Sequence, residues 1–154
     1  FPDTLTAKEI VSLLGQLKKV PAGEQQAVLE QVGLADVSHL KVSQYSKGMR
    51  QRLNLAQSLL GTGSFYILDE PTNGLDPFWI AKLKQLLIHQ RDKGDIVLFS
   101  THLLHFAQEI ADQIVMIHEG NVLVQGGISE LLQEFSCDSL EELWLQLTKK
   151  DVLL

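Results

Sequence analysis

The sequence predicts an α/β fold, a mostly parallel sheet with helices, preceded by an N-terminal helical subdomain. Phe65–Leu68 and Ile96–Phe99 are short apolar runs, each closed by polar turn residues and followed by a helical pattern; this is the strand–helix alternation of a parallel sheet. Residues 1–63 instead carry three stretches of apolar residues at helical spacing. At 154 residues, 45% hydrophobic and 21% charged, the chain has the length and composition of one packed domain.

The first helix starts at Thr6, which forms a capping box with Glu9, and Leu5 is placed to staple against Ile10. Ile10, Leu13, Leu14 and Leu17 recur at helical spacing until Val20-Pro21-Ala22-Gly23 breaks the pattern. A second helix carries Val28, Leu29 and Val32 and stops at Gly33, a residue suited to a left-handed cap. After a mixed connector, Ala35 to Gln44, Ser46 caps a third helix that runs to Leu60 with Leu53, Leu55, Ala56 and Leu59 on a broad apolar face. Phe65–Leu68 reads as a strand buried on both faces and ends in Asp69-Glu70-Pro71. Asp76-Pro77 opens a helix through Ile80, Leu83, Leu86 and Leu87 that stops at Lys93-Gly94. The strand Ile96–Phe99 leads through Ser100-Thr101-His102 into a helix carrying Leu103, Ala107 and Ile110. Ile114–Ile117 and Val122–Val124 flank Glu119-Gly120-Asn121 as a β-hairpin. Ser139 and Glu142 form a second capping box before Leu140, Leu143, Trp144 and Leu147. The organisation is then a helical subdomain over 1–63, an α/β core segment over 64–127, and terminal helices over 128–154.

A net charge of −6 argues against a broad nucleic-acid footprint, which draws its affinity from clustered Lys and Arg. No nucleic-acid partner is expected. The single Cys137 cannot pair within the chain, so a reducing, cytoplasmic compartment is expected and a cysteine zinc site is not. No apolar run approaches the roughly 20 residues that a membrane-spanning helix requires. In an open α/β sheet, ligands bind outside the carboxyl ends of the strands, so Asp69, Glu70 and His102 are expected to meet in one crevice, a geometry suited to metal-assisted hydrolysis.

Tyr45-Ser46-Lys47-Gly48-Met49-Arg50-Gln51-Arg52 resembles the signature segment of ATP-binding cassette (ABC) ATPases. Phe65 through Glu70 resembles their Walker B strand and following acid, Asn73-Gly74-Leu75-Asp76 their D-loop, and Ser100-Thr101-His102 their switch-histidine segment. The four motifs run in family order between Tyr45 and His102, and the resemblance as a whole covers essentially the entire chain. The resemblance implies a partial P-loop NTPase (ABC ATPase) fold and the nucleotide-binding, ATP-hydrolysing subunit of an ABC membrane transporter, with ATP and Mg²⁺ as its cofactors. It implies that Asp69 orients Mg²⁺ through water and that Glu70 polarises the water attacking the γ-phosphate. It also implies that His102 hydrogen-bonds that phosphate. Ser46, Lys47 and Gly48 would face the ATP of an opposing subunit in a head-to-tail dimer, where a helix N-terminus favours phosphate. Asp76 would serve the dimer interface.

Each residue also has a plainer reading. Ser46 and Asp76 are good helix caps, an Asp-Glu pair is commonly a solvated surface pair, and His102 could be a strand-end histidine satisfied by backbone. His102 and His105 stand three apart, a spacing of metal sites, but no cysteine or carboxylate cluster joins them. Tyr45, Lys47 and Met49 depart from the family's commonest Leu, Gly and Gln, and Lys47 is expected at negative φ. The resemblance further implies a transmembrane permease as partner, a peripheral position on the cytoplasmic face of the membrane and, from the closing segment Asp138–Thr148, an export-type system. A soluble ABC ATPase of translation or chromosome maintenance and a non-catalytic interaction module are the alternatives. No stretch matches G-x-x-x-x-G-K-[ST], so the chain is expected to be inactive alone, and to expose apolar strand surface that invites self-association.

Overall fold

Local signals set the element boundaries in the computed structural model, which describes residues 2–149. Helix α1 (Ala7–Lys18) begins at the expected box: the Thr6 hydroxyl accepts the Glu9 amide and the Glu9 carboxylate accepts the Thr6 amide. α2 (Ala22–Gln31) ends with Gly33 at φ +63°. A 3₁₀ turn, Val42–Gln44, lies within the connector, and α3 (Lys47–Leu59) follows it. These helices pack on one another through Ala7, Ile10, Val11, Leu29, Leu53 and Ala56, all buried. Leu13 and Leu17, expected on the apolar stripe of α1, are exposed; the covered face runs through Ala7, Ile10, Val11 and Gly15 instead.

Strand β1 (Phe65–Leu68) pairs in parallel with β2 (Ile96–Phe99), and α4 (Pro77–Asp92) connects them. β1 packs against α3, and β2 against α4. The expectation that β1 is buried on both faces does not hold in this chain. Tyr66 and Leu68 are buried, whereas Phe65 is 55% and Ile67 66% exposed, and Ile96 and Leu98 of β2 are 64% and 56% exposed beside them. Helices cover one side of the pair, and four apolar side chains lie open on the other.

The chain divides into two compact units, one ending at Ser100 and the other beginning at Thr101. In the second, α5 (Leu104–Ile110) precedes an antiparallel hairpin, β3 (Gln113–His118) and β4 (Asn121–Gly127). Its two-residue loop, Glu119-Gly120, has φ +47° and +78°, the primed-turn geometry that matches strand twist. α6 (Ile128–Phe135) and α7 (Leu140–Lys149) complete the unit, with Leu140 and Leu143 fully buried. The Ser139 hydroxyl accepts the Glu142 amide as expected, but the Glu142 carboxylate returns to the amide of Asp138. Among the described residues, no helix is long and apolar enough to cross a membrane.

Candidate functional site

Parallel register brings the first unit's polar residues together. Leu68 pairs with Phe99, so the residues that follow, Asp69 and Ser100, emerge side by side at the carboxyl ends of β1 and β2. The Ser100 amide donates to the Leu68 carbonyl at 3.0 Å and continues the ladder by one step. The Ser100 hydroxyl donates to Asp69 Oδ1 at 2.6 Å and accepts the Glu70 amide at 2.8 Å. The Glu70 carbonyl accepts Gln51 Nε2, from α3, at 3.2 Å, and the Asn73 amide at 3.0 Å.

Glu70 sits at φ +44°. A non-glycine residue in the left-handed region costs about 1–3 kcal/mol unless the surroundings over-determine it. Here its amide and its carbonyl are both held, by Ser100 just after β2 and by Gln51 of α3. Asp69 is exposed and Glu70 half-buried.

The segment around Ser46 shows the expected cap: its hydroxyl accepts the Met49 amide at 3.2 Å. Lys47 opens α3 and is not among the positive-φ residues, as expected. Gly48 has a packing reason of its own. A Cβ there would stand 2.7 Å from the Gly74 carbonyl oxygen. Gly74, at φ +75°, lies in turn beneath the Lys47 stem, whose Cγ would be 2.7 Å from a Cβ on Gly74. The start of α3 and the Asn73–Asp76 loop therefore share one surface. Asp76 caps α4, accepting the Trp79 amide at 2.9 Å. Tyr45 is buried, with its hydroxyl donating to the Val37 carbonyl at 2.9 Å; burial raises its pKa, opposed by the nearby Arg52 charge.

Arg52 is a half-buried cation. Burial lowers its pKa, while Asp76 and then Tyr45 act in the opposite direction. Its Nη1 donates to the carbonyls of Val32 and Gly33 at 3.0 and 2.9 Å, closing the end of α2, and its guanidinium lies 4.2 Å from the Trp79 ring centroid.

His102 belongs to the second unit, is exposed, and lies two residues before α5. The structure thus joins Asp69 and Glu70 through Ser100 within one unit, and the signature and D-loop residues within the same unit. Gln51, Arg52 and Ser100 were not singled out as site residues from the sequence. Ser100 had a usable signal: strands of equal length in parallel register set it opposite Asp69. Gln51 looks like any polar residue on a helix.

Asp69 keeps Oδ2 outside the Ser100 contact. Among the described residues, no group of three His, Cys, Asp or Glu could by itself hold a metal ion. One carboxylate with an oxygen to spare fits Mg²⁺ that brings its own waters and phosphate ligands, as that ion commonly does, better than a self-sufficient protein cage.

Parallel strands delivering adjacent acids beside a serine-capped helix define a partial P-loop NTPase fold. Comparisons with known proteins narrow the class. The model of the ABC transporter family matches residues 3–73. The ABC transporter ATP-binding protein YxlF of Bacillus subtilis is 38% identical over 138 residues, which is 87% of this chain and 46% of that protein. A fluoroquinolones export ATP-binding protein of Mycobacterium tuberculosis is 33% identical over 82% of this chain and 42% of its own length. The lantibiotic transport ATP-binding protein SrtF of Streptococcus pyogenes is 39% identical over 64% of this chain and 43% of its own. A solved structure described as the ATP-binding subunit of an ABC transporter superposes with a TM-score of 0.86 at 30% identity, covering 96% of this chain and 64% of that one. The chain belongs to the ABC transporter ATP-binding protein family and spans less than half the length of these curated relatives.

Proposed function

We propose that this chain forms part of the ATP-hydrolysing subunit of an ABC membrane transporter, with residues 1–63, 64–127 and 128–154 as parts of one incomplete ABC ATPase domain. The observation that carries the reading is the pair Asp69 and Glu70 at the carboxyl end of β1, with Glu70 held in the left-handed region from both sides. Bound Mg²⁺ would neutralise charge on the β- and γ-phosphates. Asp69 would orient the ion's water shell, and Glu70 would take the proton of the attacking water. His102 would donate to the γ-phosphate. Ser46, Lys47 and Gly48 would face the ATP of a second subunit, and Asp76 would line the same head-to-tail interface. The partner implied is a transmembrane permease, with this subunit on the cytoplasmic face. The relatives named for fluoroquinolone export and lantibiotic transport support an export-type system.

The test is ATP hydrolysis by this chain and by the complete gene product, each with and without Glu70→Gln. Activity is expected only in the complete product, falling about 10²-fold or more in the variant. Hydrolysis by this chain alone, or a variant as active as the parent, would overturn the reading.

A further inference from the structure

We propose that Ser100 is a positioning residue for hydrolysis, its single hydroxyl orienting the Asp69 carboxylate and holding the Glu70 backbone in its left-handed turn. The proposal rests on the roles assigned above to Asp69 and Glu70.

Hydrogen-bond accounting gives the hydroxyl a direction. A serine hydroxyl donates one proton and can accept others. The Glu70 amide can only donate, and it reaches Ser100 Oγ at 2.8 Å. The hydroxyl proton is then free to go to Asp69 Oδ1, 2.6 Å away, a length typical of a hydroxyl donating to a carboxylate. Amide, hydroxyl and carboxylate form one directed chain. The serine is itself fixed, because its own amide bonds the Leu68 carbonyl. An exposed serine is ordinarily replaceable. This one connects two neighbouring acids with different tasks, fixing the rotamer of one and the main chain of the other. Alanine would leave the Glu70 amide without its acceptor at φ +44° and leave Asp69 free to turn.

The experiment compares Ser100→Ala, Ser100→Thr and Glu70→Gln in the complete gene product, with two readouts. The first needs no nucleotide: amide hydrogen exchange across residues 69–72. Ser100→Ala should speed exchange at Glu70 by about tenfold or more, and Ser100→Thr should not. The second is steady-state hydrolysis at varied Mg²⁺. Ser100→Ala should lower kcat by about 10- to 100-fold and raise the Mg²⁺ concentration needed for half-maximal rate, with KM for ATP changed less than about threefold. Ser100→Thr should recover most of both. If Glu70→Gln stays active, the proposed function falls and this inference falls with it. If Glu70→Gln is inactive while Ser100→Ala matches the parent, the inference alone is overturned. Equal losses in the alanine and threonine variants would also overturn it, because the hydroxyl would then not be responsible.

Discussion

Gly48 approaches Gly74 so closely that a methyl group on it would stand 2.7 Å from the Gly74 carbonyl oxygen. The obstacle is backbone and cannot swing aside as a flexible side chain would. Gly48→Ala should therefore shift the Asn73–Asp76 loop and destabilise the first unit by about 1–3 kcal/mol, read as a lower urea midpoint of the complete gene product at unchanged slope. An unchanged midpoint would mean that this contact is looser than the structure has it.

Arg52 closes α2, stacks on Trp79 and faces Asp76 at once. A lysine keeps the charge but loses the planar fork and the stack. Arg52→Lys should cost about 1–2 kcal/mol, measured by thermal melting. Gly33→Ala attacks the same junction from the other side, since its Cβ would lie 2.5 Å from the Trp79 ring at a φ of +63°. It should cost more than the lysine variant, and the reverse order would show that the Trp79 ring yields to a methyl group at Gly33 more readily than this packing implies.

Burial raises the Tyr45 pKa above the ordinary phenol value of 10.0. Between that value and the raised one, unfolded chains release a proton that folded chains keep, so stability falls as pH rises through this window. It is fully present below about pH 10. Tyr66 is raised in the same direction, by burial first and Asp95 second. Tyr45→Phe should lower stability at neutral pH by about 0.5–1.5 kcal/mol through loss of the bond to the Val37 carbonyl. It should also make the alkaline decline shallower without abolishing it. Denaturant midpoints between pH 8 and about 11 check both signs; an unaltered alkaline slope would refute the assignment to Tyr45.

Phe65, Ile67, Ile96 and Leu98 form an open apolar face on the β1–β2 pair. An apolar face left open to water in this way invites association. This 154-residue chain by itself should elute earlier in size exclusion as its concentration rises. A monomer at every concentration would count against that face being open in solution.

Much of the fold was legible because its signals are local. The Thr6–Glu9 box, the Ser46 cap and the Asp76-Pro77 start each act within three residues, and all three appear as read. Both strands of the parallel pair matched their apolar runs residue for residue. What could not be read was which side of an element is covered. An unbroken apolar run does not say that only Tyr66 and Leu68 of β1 are buried here, and helical spacing alone could not rank Val11 above Leu13. The site divides in the same way. Asp69 and Glu70 stand out at a strand end, whereas the Ser100 and Gln51 contacts to them span 31 and 19 positions and depend on strand register and helix placement. The left-handed turn at Glu70 has no local signal, because glutamate is not a residue that favours it.

That turn divides the requirements at position 70 into a chemical one and a conformational one. Asparagine or glycine would accept the main-chain geometry and lose the carboxylate. Aspartate would keep the charge and tolerate the turn, but would hold its oxygens one methylene short. Valine or isoleucine would fail on conformation before chemistry could be asked of it. On the role proposed for Glu70, substitutions here would abolish hydrolysis by separate routes, and comparing hydrolysis with folding stability across such a series would tell a missing proton acceptor from a distorted chain.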